Sequence, residues 1–147
     1  QMRIATFPVY RDLVGFDFSQ SLISEATVKQ LHRCDFMDQA QNVVLIGGPG
    51  TGKTHIATAI GTQAIMHLGK RVRFFSTIDL VNALEQEMLT GKPGQIAFRL
   101  MYTDLVILDE LGYLPFSQTG GALLFHLLSK LYEKTSVILT TNLSFSE

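Results

Sequence analysis

The feature that most constrains the fold of this chain is a glycine-rich stretch between two apolar runs. Residues 47–54 fit the pattern Gly, four residues, then Gly-Lys-Ser/Thr, and His55 follows directly. The run before it, 42–46, is short and β-branched, which predicts a buried strand. The run after it, 56–66, is alanine-rich with apolar residues at helical spacing, which predicts a helix. A glycine loop between a strand and a helix is the context in which this pattern binds phosphate.

The residue types of this loop suit a triphosphate. Glycines at positions 47, 50 and 52 let the backbone approach the phosphates closely. The start of the following helix favours an anion through its free N–H groups and its dipole. Lys53 supplies positive charge for the β- and γ-phosphates, and the Thr54 hydroxyl can bind Mg²⁺. The alternative is a glycine turn before an ordinary helix, but the flanking strand and helix favour a nucleotide. The residues predicted to bind ATP or ADP are Gly47, Gly48, Pro49, Gly50, Thr51, Gly52, Lys53, Thr54 and His55.

Composition is typical of a globular protein with a single domain. Of 147 residues, 46% are apolar and 17% are charged, which excludes a disordered chain. The formal net charge of −1 gives no sign of nucleic-acid binding, although it leaves room for a local basic patch. The single cysteine, Cys34, excludes a disulfide framework and fits a cytoplasmic protein; we expect it to be a half-buried packing residue. No run of about 18 apolar residues is present, so we expect no membrane partner.

The residues before the loop are expected to pack on the core. Residues 1–21 contain aromatic side chains without a clear period, which predicts an extended segment, and Ser24 to Ala40 is predicted to be a helix. Residues 1–40 would then pack on a nucleotide-binding core formed by residues 41–147. Three residues of the extended segment are candidates for contact with adenine, with core packing as the default interpretation: Val14, Phe16 and Phe18.

The rest of the chain alternates strands and helices. Further strands are predicted over 72–75, 103–110 and 136–142, and helices over 77–90, over 95–101, and from Ser117 or Thr119 to Glu133. This alternation is typical of an α/β fold. Four basic residues lie near the second and third strands, and a solvated surface is the simpler interpretation of each: Arg71, Arg73, Lys92 and Arg99.

Two acids end the most apolar of these strands. Residues 105–108 are all apolar, which predicts a strand buried on both faces. Asp109 and Glu110 follow at its carboxyl end, where α/β sheets bind ligands. We expect Asp109 to hold Mg²⁺ through water or through Thr54, and Glu110 to orient and deprotonate an attacking water. The glutamate favours hydrolysis over kinase chemistry, in which a substrate hydroxyl replaces the water.

Asn142 ends the last predicted strand. Its amide is the kind of group that could hold a water against the γ-phosphate, and a turn-forming asparagine is the alternative. With Glu110 and Lys53, it completes the set of residues predicted to take part in catalysis.

The order of these motifs resembles the core of an AAA+ ATPase. Within that superfamily, the sequences at 48–55, 108–116 and 139–147 resemble those of the IstB proteins, which are helper ATPases of bacterial insertion-sequence transposition. The segment around residues 7–9 and 16–18 is similar too, so the resemblance spans nearly the whole chain. It implies a P-loop NTPase three-layer sandwich with a central parallel sheet, in which the asparagine-bearing strand lies between the strands of the phosphate loop and of the acids.

The resemblance also implies residue roles and partners. ATP phosphates are assigned to residues 50–54, Mg²⁺ to Thr54 and Asp109, activation of water to Glu110 and sensing of the γ-phosphate to Asn142. Such proteins self-assemble on duplex DNA with ATP as the switch, and they recruit or activate the transposase of the same insertion element. The DnaC-type replicative helicase loaders are the alternative, and the loop at 112–116 favours the first hypothesis.

Some parts of the family pattern are expected to lie outside this chain. The arginine finger, the last strand and the C-terminal helical lid with its second sensing arginine would all follow Glu147, so we expect the chain to be part of a longer protein. An arginine supplied by a neighbour is worth about 10³–10⁵ in rate in related phosphoryl transfers. We therefore expect this chain to hydrolyse ATP slowly.

Overall fold

The computed structural model describes residues 25–47, 52–111 and 118–142. The N-terminal segment with its three candidate adenine contacts, the 112–116 loop and the Ser117 cap lie outside these ranges. The elements in chain order are α1 (Glu25–His32), a 3-10 helix (Asp35–Gln39), β1 (Val43–Ile46), α2 (Lys53–Leu68), β2 (Val72–Ser76), α3 (Thr77–Leu89), α4 (Gln95–Met101), β3 (Leu105–Asp109), α5 (Gln118–Leu131) and β4 (Ser136–Thr141).

The strands form one parallel sheet in the order β1-β4-β3-β2. Parallel neighbours need a crossover between them, and each crossover here contains at least one helix. The register pairs Ile46 with Thr141 and Ser76 with Asp109, so the carboxyl ends of the strands lie along one edge of the sheet. The predicted position of β4, between β1 and β3, is confirmed.

The core consists of two apolar clusters, one on each face of the sheet. Leu105 and Ile107 of β3 belong to the cluster that contains α1, the 3-10 helix and α2. Val106 and Leu108 belong to the other, which contains α3, α4 and α5. All five residues of β3 are buried, as predicted for this strand. Helices therefore cover both faces of the sheet in the expected three layers.

The prediction that β1 is buried is wrong. Val44 is 42% exposed and Ile46 is 49% exposed, while Val43 and Leu45 are partly buried against the first cluster. The reason is position, because β1 is the outermost strand of the described sheet and pairs only with β4 there. The second cluster draws its strand residues from β2, β3 and β4, so the side chains of β1 that point to that face are poorly covered.

The prediction of one helix over residues 24–40 is also wrong, because the chain turns at Cys34. The N–H of Cys34 donates to Leu31 O at 2.9 Å, and Cys34 itself has a φ of 64°. Val28 and Cys34 would lie about 120° apart around a continuous helix. Both are nevertheless buried, at 1% and 3% exposure, and Phe36 is buried beyond the turn. The break lets all three side chains reach the same cluster.

Cys34 is more deeply buried than the predicted half-buried position. Burial, followed by the nearby carboxylates of Asp35 and Asp38, raises the pKa of its thiol to about 11. The thiol is therefore protonated at neutral pH, which suits a packing residue and not a nucleophile or metal ligand.

Among the helices of residues 25–47, 52–111 and 118–142, none has the length and apolar character needed to span a membrane.

The four basic residues differ in their surroundings. Arg71 pairs with Asp104 at 3.5 Å, and the guanidinium of Arg73 lies 5.5 Å from the centre of the Phe75 ring. Lys92 and Arg99, on either side of the start of α4, are both exposed.

Thr135 connects α4 to the start of β4 and offers a test of the packing. Its buried hydroxyl lies 3.0 Å from the carbonyl oxygens of Leu100 and Thr103. Thr135→Val should lower the free energy of unfolding by about 1–2 kcal/mol, because the buried carbonyls lose their donor. Urea denaturation followed by circular dichroism measures this change.

Thr62→Val is the matched control for that substitution. The Thr62 hydroxyl is buried in α2 and has no hydrogen-bond partner in the described part of the chain. Its removal should leave the free energy of unfolding unchanged or slightly higher. Equal losses in the two variants would contradict the role given to Thr135.

Candidate functional site

Polar groups from the ends of β1, β3 and β4 and from the start of α2 meet where the carboxyl ends of the strands lie. Gly47 follows β1, Asp109 is the last residue of β3, and Asn142 follows β4. Lys53 and Thr54 occupy the first turn of α2. The parallel alignment of the strands brings these residues together although they are far apart in the chain.

Lys53 links the loop after β1 to the residue after β4. Its ammonium group donates to the carbonyl oxygen of Gly47 and, at 2.9 Å, to Oδ1 of Asn142. The side chain is only 9% exposed, so these acceptors stabilise a largely desolvated charge. The N–H of Gly47 donates to Thr141 O at 3.1 Å, which holds the two strand ends together.

The start of α2 has the properties of an anion site. Its N-cap is Gly52, whose φ of 89° is a conformation that favours glycine. In the described residues, no side-chain hydrogen bond caps this end, and the first turn of α2 contains no acidic residue. A helix of 16 residues adds the positive end of its dipole at the same place.

The carboxylate of Asp109 lies between hydroxyl groups from two neighbouring elements. Thr54 Oγ1 is 2.9 Å from Asp109 Oδ1 and 3.0 Å from Oδ2, and Thr140 Oγ1 of β4 donates to Oδ1. Asp109 is 7% exposed. These hydroxyls compensate for the cost of burying the carboxylate, and they hold it beside the start of α2.

Glu110 is exposed and has an unusual backbone conformation. Its φ is 64°, in the left-handed region that non-glycine residues seldom adopt. The N–H of Glu110 donates to Thr140 Oγ1 at 2.9 Å, and the N–H of Leu111 donates to Thr140 O at 2.8 Å. The chain therefore turns sharply after β3, directly beside the cluster of Lys53 and Asp109.

Two threonines of this site were missed by the sequence analysis. Besides Thr140, Thr77 at the start of α3 is fully buried, and its hydroxyl donates to the carbonyl oxygen of Asp109 at 2.9 Å. A signal for Thr140 was present: it is a polar residue near the carboxyl end of an otherwise apolar strand, two positions before Asn142. Thr77 resembles an ordinary helix start, so its sequence gives no comparable signal.

Of the remaining predicted site residues, four lie outside the described ranges and one lies within them. Gly48, Pro49, Gly50 and Thr51 are outside the described ranges. His55 is half-buried in the first turn of α2, one residue after Thr54.

Comparison with known proteins agrees with the resemblance seen in the motifs. A family model for IstB-like ATP binding proteins matches residues 1–147. The chain is 36% identical over 148 residues to an ATP-binding protein of insertion sequence IS21 from Pseudomonas aeruginosa, and the alignment covers 100% of this chain and 56% of that protein. It is 33% identical over 147 residues to an ATP-binding protein of insertion sequence IS5376 from Geobacillus stearothermophilus, and that alignment covers 99% of this chain and 58% of that protein. The chain thus spans somewhat more than half the length of these relatives.

A solved structure has the same fold. The crystal structure of the DnaC helicase loader superposes with a TM-score of 0.72 at 28% sequence identity, covering 82% of this chain and 68% of that chain. The parallel sheet, the helix that begins at Lys53 and the matching family model all agree on an AAA+ P-loop fold. The chain therefore belongs to the family of IstB-like ATP-binding proteins.

Proposed function

We propose that the chain binds ATP together with Mg²⁺ at the site formed by Lys53, Thr54, Asp109 and Asn142. In this proposal the chain hydrolyses the ATP, and hydrolysis switches the state of a helper protein of DNA transposition. The observation that carries this proposal is the meeting of Lys53, Thr54, Asp109 and Asn142 at one edge of the sheet. In this proposal, ATP-bound copies assemble on duplex DNA in the cytoplasm and recruit or activate the transposase of the same insertion element.

The phosphates would lie against the start of α2. Lys53 already has its ammonium group at the strand edge, where it can exchange an asparagine or carbonyl oxygen for an oxygen of the β- or γ-phosphate. The N–H groups after Gly52 add uncharged donors to the same side of the ligand. Binding therefore needs little rearrangement of Lys53, which supports a phosphate at this position.

Thr54 and Asp109 fit Mg²⁺ in their chemistry. Both supply oxygen, the ligand that this ion prefers, and Thr54 Oγ1 lies within 3.0 Å of both oxygens of the Asp109 carboxylate. Within residues 25–47, 52–111 and 118–142, no group of three or more His, Cys, Asp or Glu side chains is placed to bind a metal. That agrees with Mg²⁺ held by one or two protein oxygens plus phosphate and water. Bound there, the ion would neutralise charge on the phosphate oxygens.

Glu110 and Asn142 are the proposed groups for the attack of water. Both are exposed at the strand edge, one directly after β3 and the other directly after β4. Water would bond to the γ-phosphorus, the bond from that phosphorus to the bridging oxygen would break, and the water proton would pass to the Glu110 carboxylate. The products are ADP and phosphate, with Asn142 holding the water or a γ-phosphate oxygen.

Two observations favour transposition over helicase loading. The two relatives described above are named as ATP-binding proteins of insertion sequences. Their identity to this chain, 36% and 33%, exceeds the 28% of the DnaC loader. Lys92 and Arg99, both exposed near the start of α4, are the residues that we propose for contact with DNA phosphates. The DnaC-type loader remains the alternative function.

Lys53→Ala should weaken ATP binding by about 10- to 100-fold or more, because a buried charge-assisted contact to phosphate is lost. Titration with a fluorescent ATP analogue measures the affinity. Lys130→Ala, which removes an exposed charge from the last turn of α5, is the control and should leave the affinity unchanged. Affinities within a few-fold of each other for the two variants would rule out this phosphate site.

Glu110→Gln should retain ATP and lose turnover by about 10²-fold or more, because the amide cannot accept the water proton. Single-turnover hydrolysis measures the rate. The matched control is Glu133→Gln, since Glu133 has nearly the same backbone conformation, φ 65°, and lies at the opposite edge of the sheet. If hydrolysis in Glu110→Gln matches that of the control, the base lies elsewhere.

Assembly on DNA is tested with the natural protein that carries this chain. Sedimentation with ATP, Mg²⁺ and duplex DNA should show a large assembly that needs both the nucleotide and the DNA. A protein that stays monomeric on duplex DNA but binds a replicative helicase would favour the loader instead.

A further inference from the structure

One buried threonine of β4 contacts three successive residues at the end of β3. The hydroxyl of Thr140 donates to Asp109 Oδ1 and accepts from the N–H of Glu110 at 2.9 Å. The carbonyl oxygen of Thr140 accepts from the N–H of Leu111 at 2.8 Å. Thr140 is 1% exposed, so water does not compete for these contacts.

The contacts of Thr140 hold Glu110 in a conformation that costs energy. A left-handed backbone is unfavourable for a non-glycine residue because its Cβ crowds the following carbonyl oxygen, and the φ of Glu110 is 64°. The N–H of Glu110 and the N–H of Leu111 are both hydrogen-bonded to Thr140. The backbone is therefore hydrogen-bonded to Thr140 on both sides of the Glu110 α-carbon, which limits the direction of the Glu110 Cα–Cβ bond.

The same hydroxyl limits the orientation of Asp109. Thr54 approaches the Asp109 carboxylate from α2, and Thr140 approaches it from β4. Thr140 also lies two residues before Asn142, whose Oδ1 is 2.9 Å from the ammonium group of Lys53. The end of β4 thus contacts or includes three site residues: Thr140 contacts Asp109 and Glu110, and Asn142 follows the strand.

We propose that Thr140 is a positioning residue that sets the Glu110 backbone and the Asp109 carboxylate for ATP hydrolysis. Because Thr140 is 1% exposed, we expect it to act through Asp109 and Glu110 and not by touching the nucleotide; the inference rests on the proposed function. A purely structural role for Thr140 would lower stability without a specific effect on turnover. The two roles differ in what happens to kcat when the hydroxyl is removed and the protein still folds.

The main test compares Thr140→Val with Thr140→Ser. The valine variant keeps the shape and removes the hydroxyl, so its kcat should fall by about 10- to 100-fold, as for other residues that orient catalytic ligands. Its KM for ATP should change less than its kcat, because Lys53 keeps its contacts and Thr54 still holds the Asp109 carboxylate. The serine variant keeps the hydroxyl and should restore most of the rate. Thr140→Ala carries the same test if the valine variant does not fold.

Thr135→Val is the control for a loss of stability alone. It removes a buried hydroxyl from the residue just before β4, at the far end of the strand from the site. Its kcat at a temperature where it is folded should equal that of the unmodified chain. A Thr140→Val variant with unchanged kcat would overturn the inference. So would a serine variant as slow as the valine variant, because retaining the hydroxyl would then not preserve the rate.

Hydrogen exchange separates this inference from the proposed function. The amides of Glu110 and Leu111 should exchange faster in Thr140→Val and stay protected in Thr135→Val. Should the unmodified protein fail to hydrolyse ATP, the proposed function falls, and exchange still decides whether Thr140 holds the turn. Unchanged exchange at both amides in Thr140→Val would refute the positioning role whatever the protein hydrolyses.

Discussion

The parallel pairing of β1, β4 and β3 is the constraint on which the site depends. Because the three strands run in the same direction, their last residues lie side by side. The groups predicted to bind nucleotide and metal in the described residues come from those strand ends or from the helix that follows β1. Antiparallel pairing of β4 with either neighbour would place Asn142 at the opposite edge, away from Lys53 and Asp109. The fold thus creates the site by aligning strand ends.

Alignment alone would leave charges buried without partners. Lys53 and Asp109 are both buried residues, and neutral groups are among the hydrogen-bond partners of each. Hydroxyl, amide and carbonyl partners can be exchanged for phosphate and metal at modest cost, whereas a direct Lys–Asp pair would have to be broken first. This arrangement keeps both charges available to a ligand.

The sequence predicted which residues meet at the site better than it predicted the packing around them. Lys53, Asp109 and Asn142 were identified because each ends or begins an element whose period is visible, and the position of β4 followed from the resemblance to AAA+ proteins. Thr140 and Thr77 were missed because their role depends on which strand and helix lie next to Asp109, and that is a tertiary contact. The break at Cys34 was missed for a related reason. The spacing of Val28 and Leu31 fits a continuous helix, and only the shared core cluster shows that Cys34 must also turn inward.

The central claim is that the edge of the sheet binds ATP together with Mg²⁺, and calorimetric titration tests it most directly. ATP would be titrated into the chain in the presence of Mg²⁺ and again in the presence of EDTA. We predict one ATP bound per chain with Mg²⁺ and an affinity at least about tenfold weaker without it, because Thr54 and Asp109 then lack the ion that joins them to the phosphates. No binding with Mg²⁺, or the same affinity in EDTA, would contradict the account.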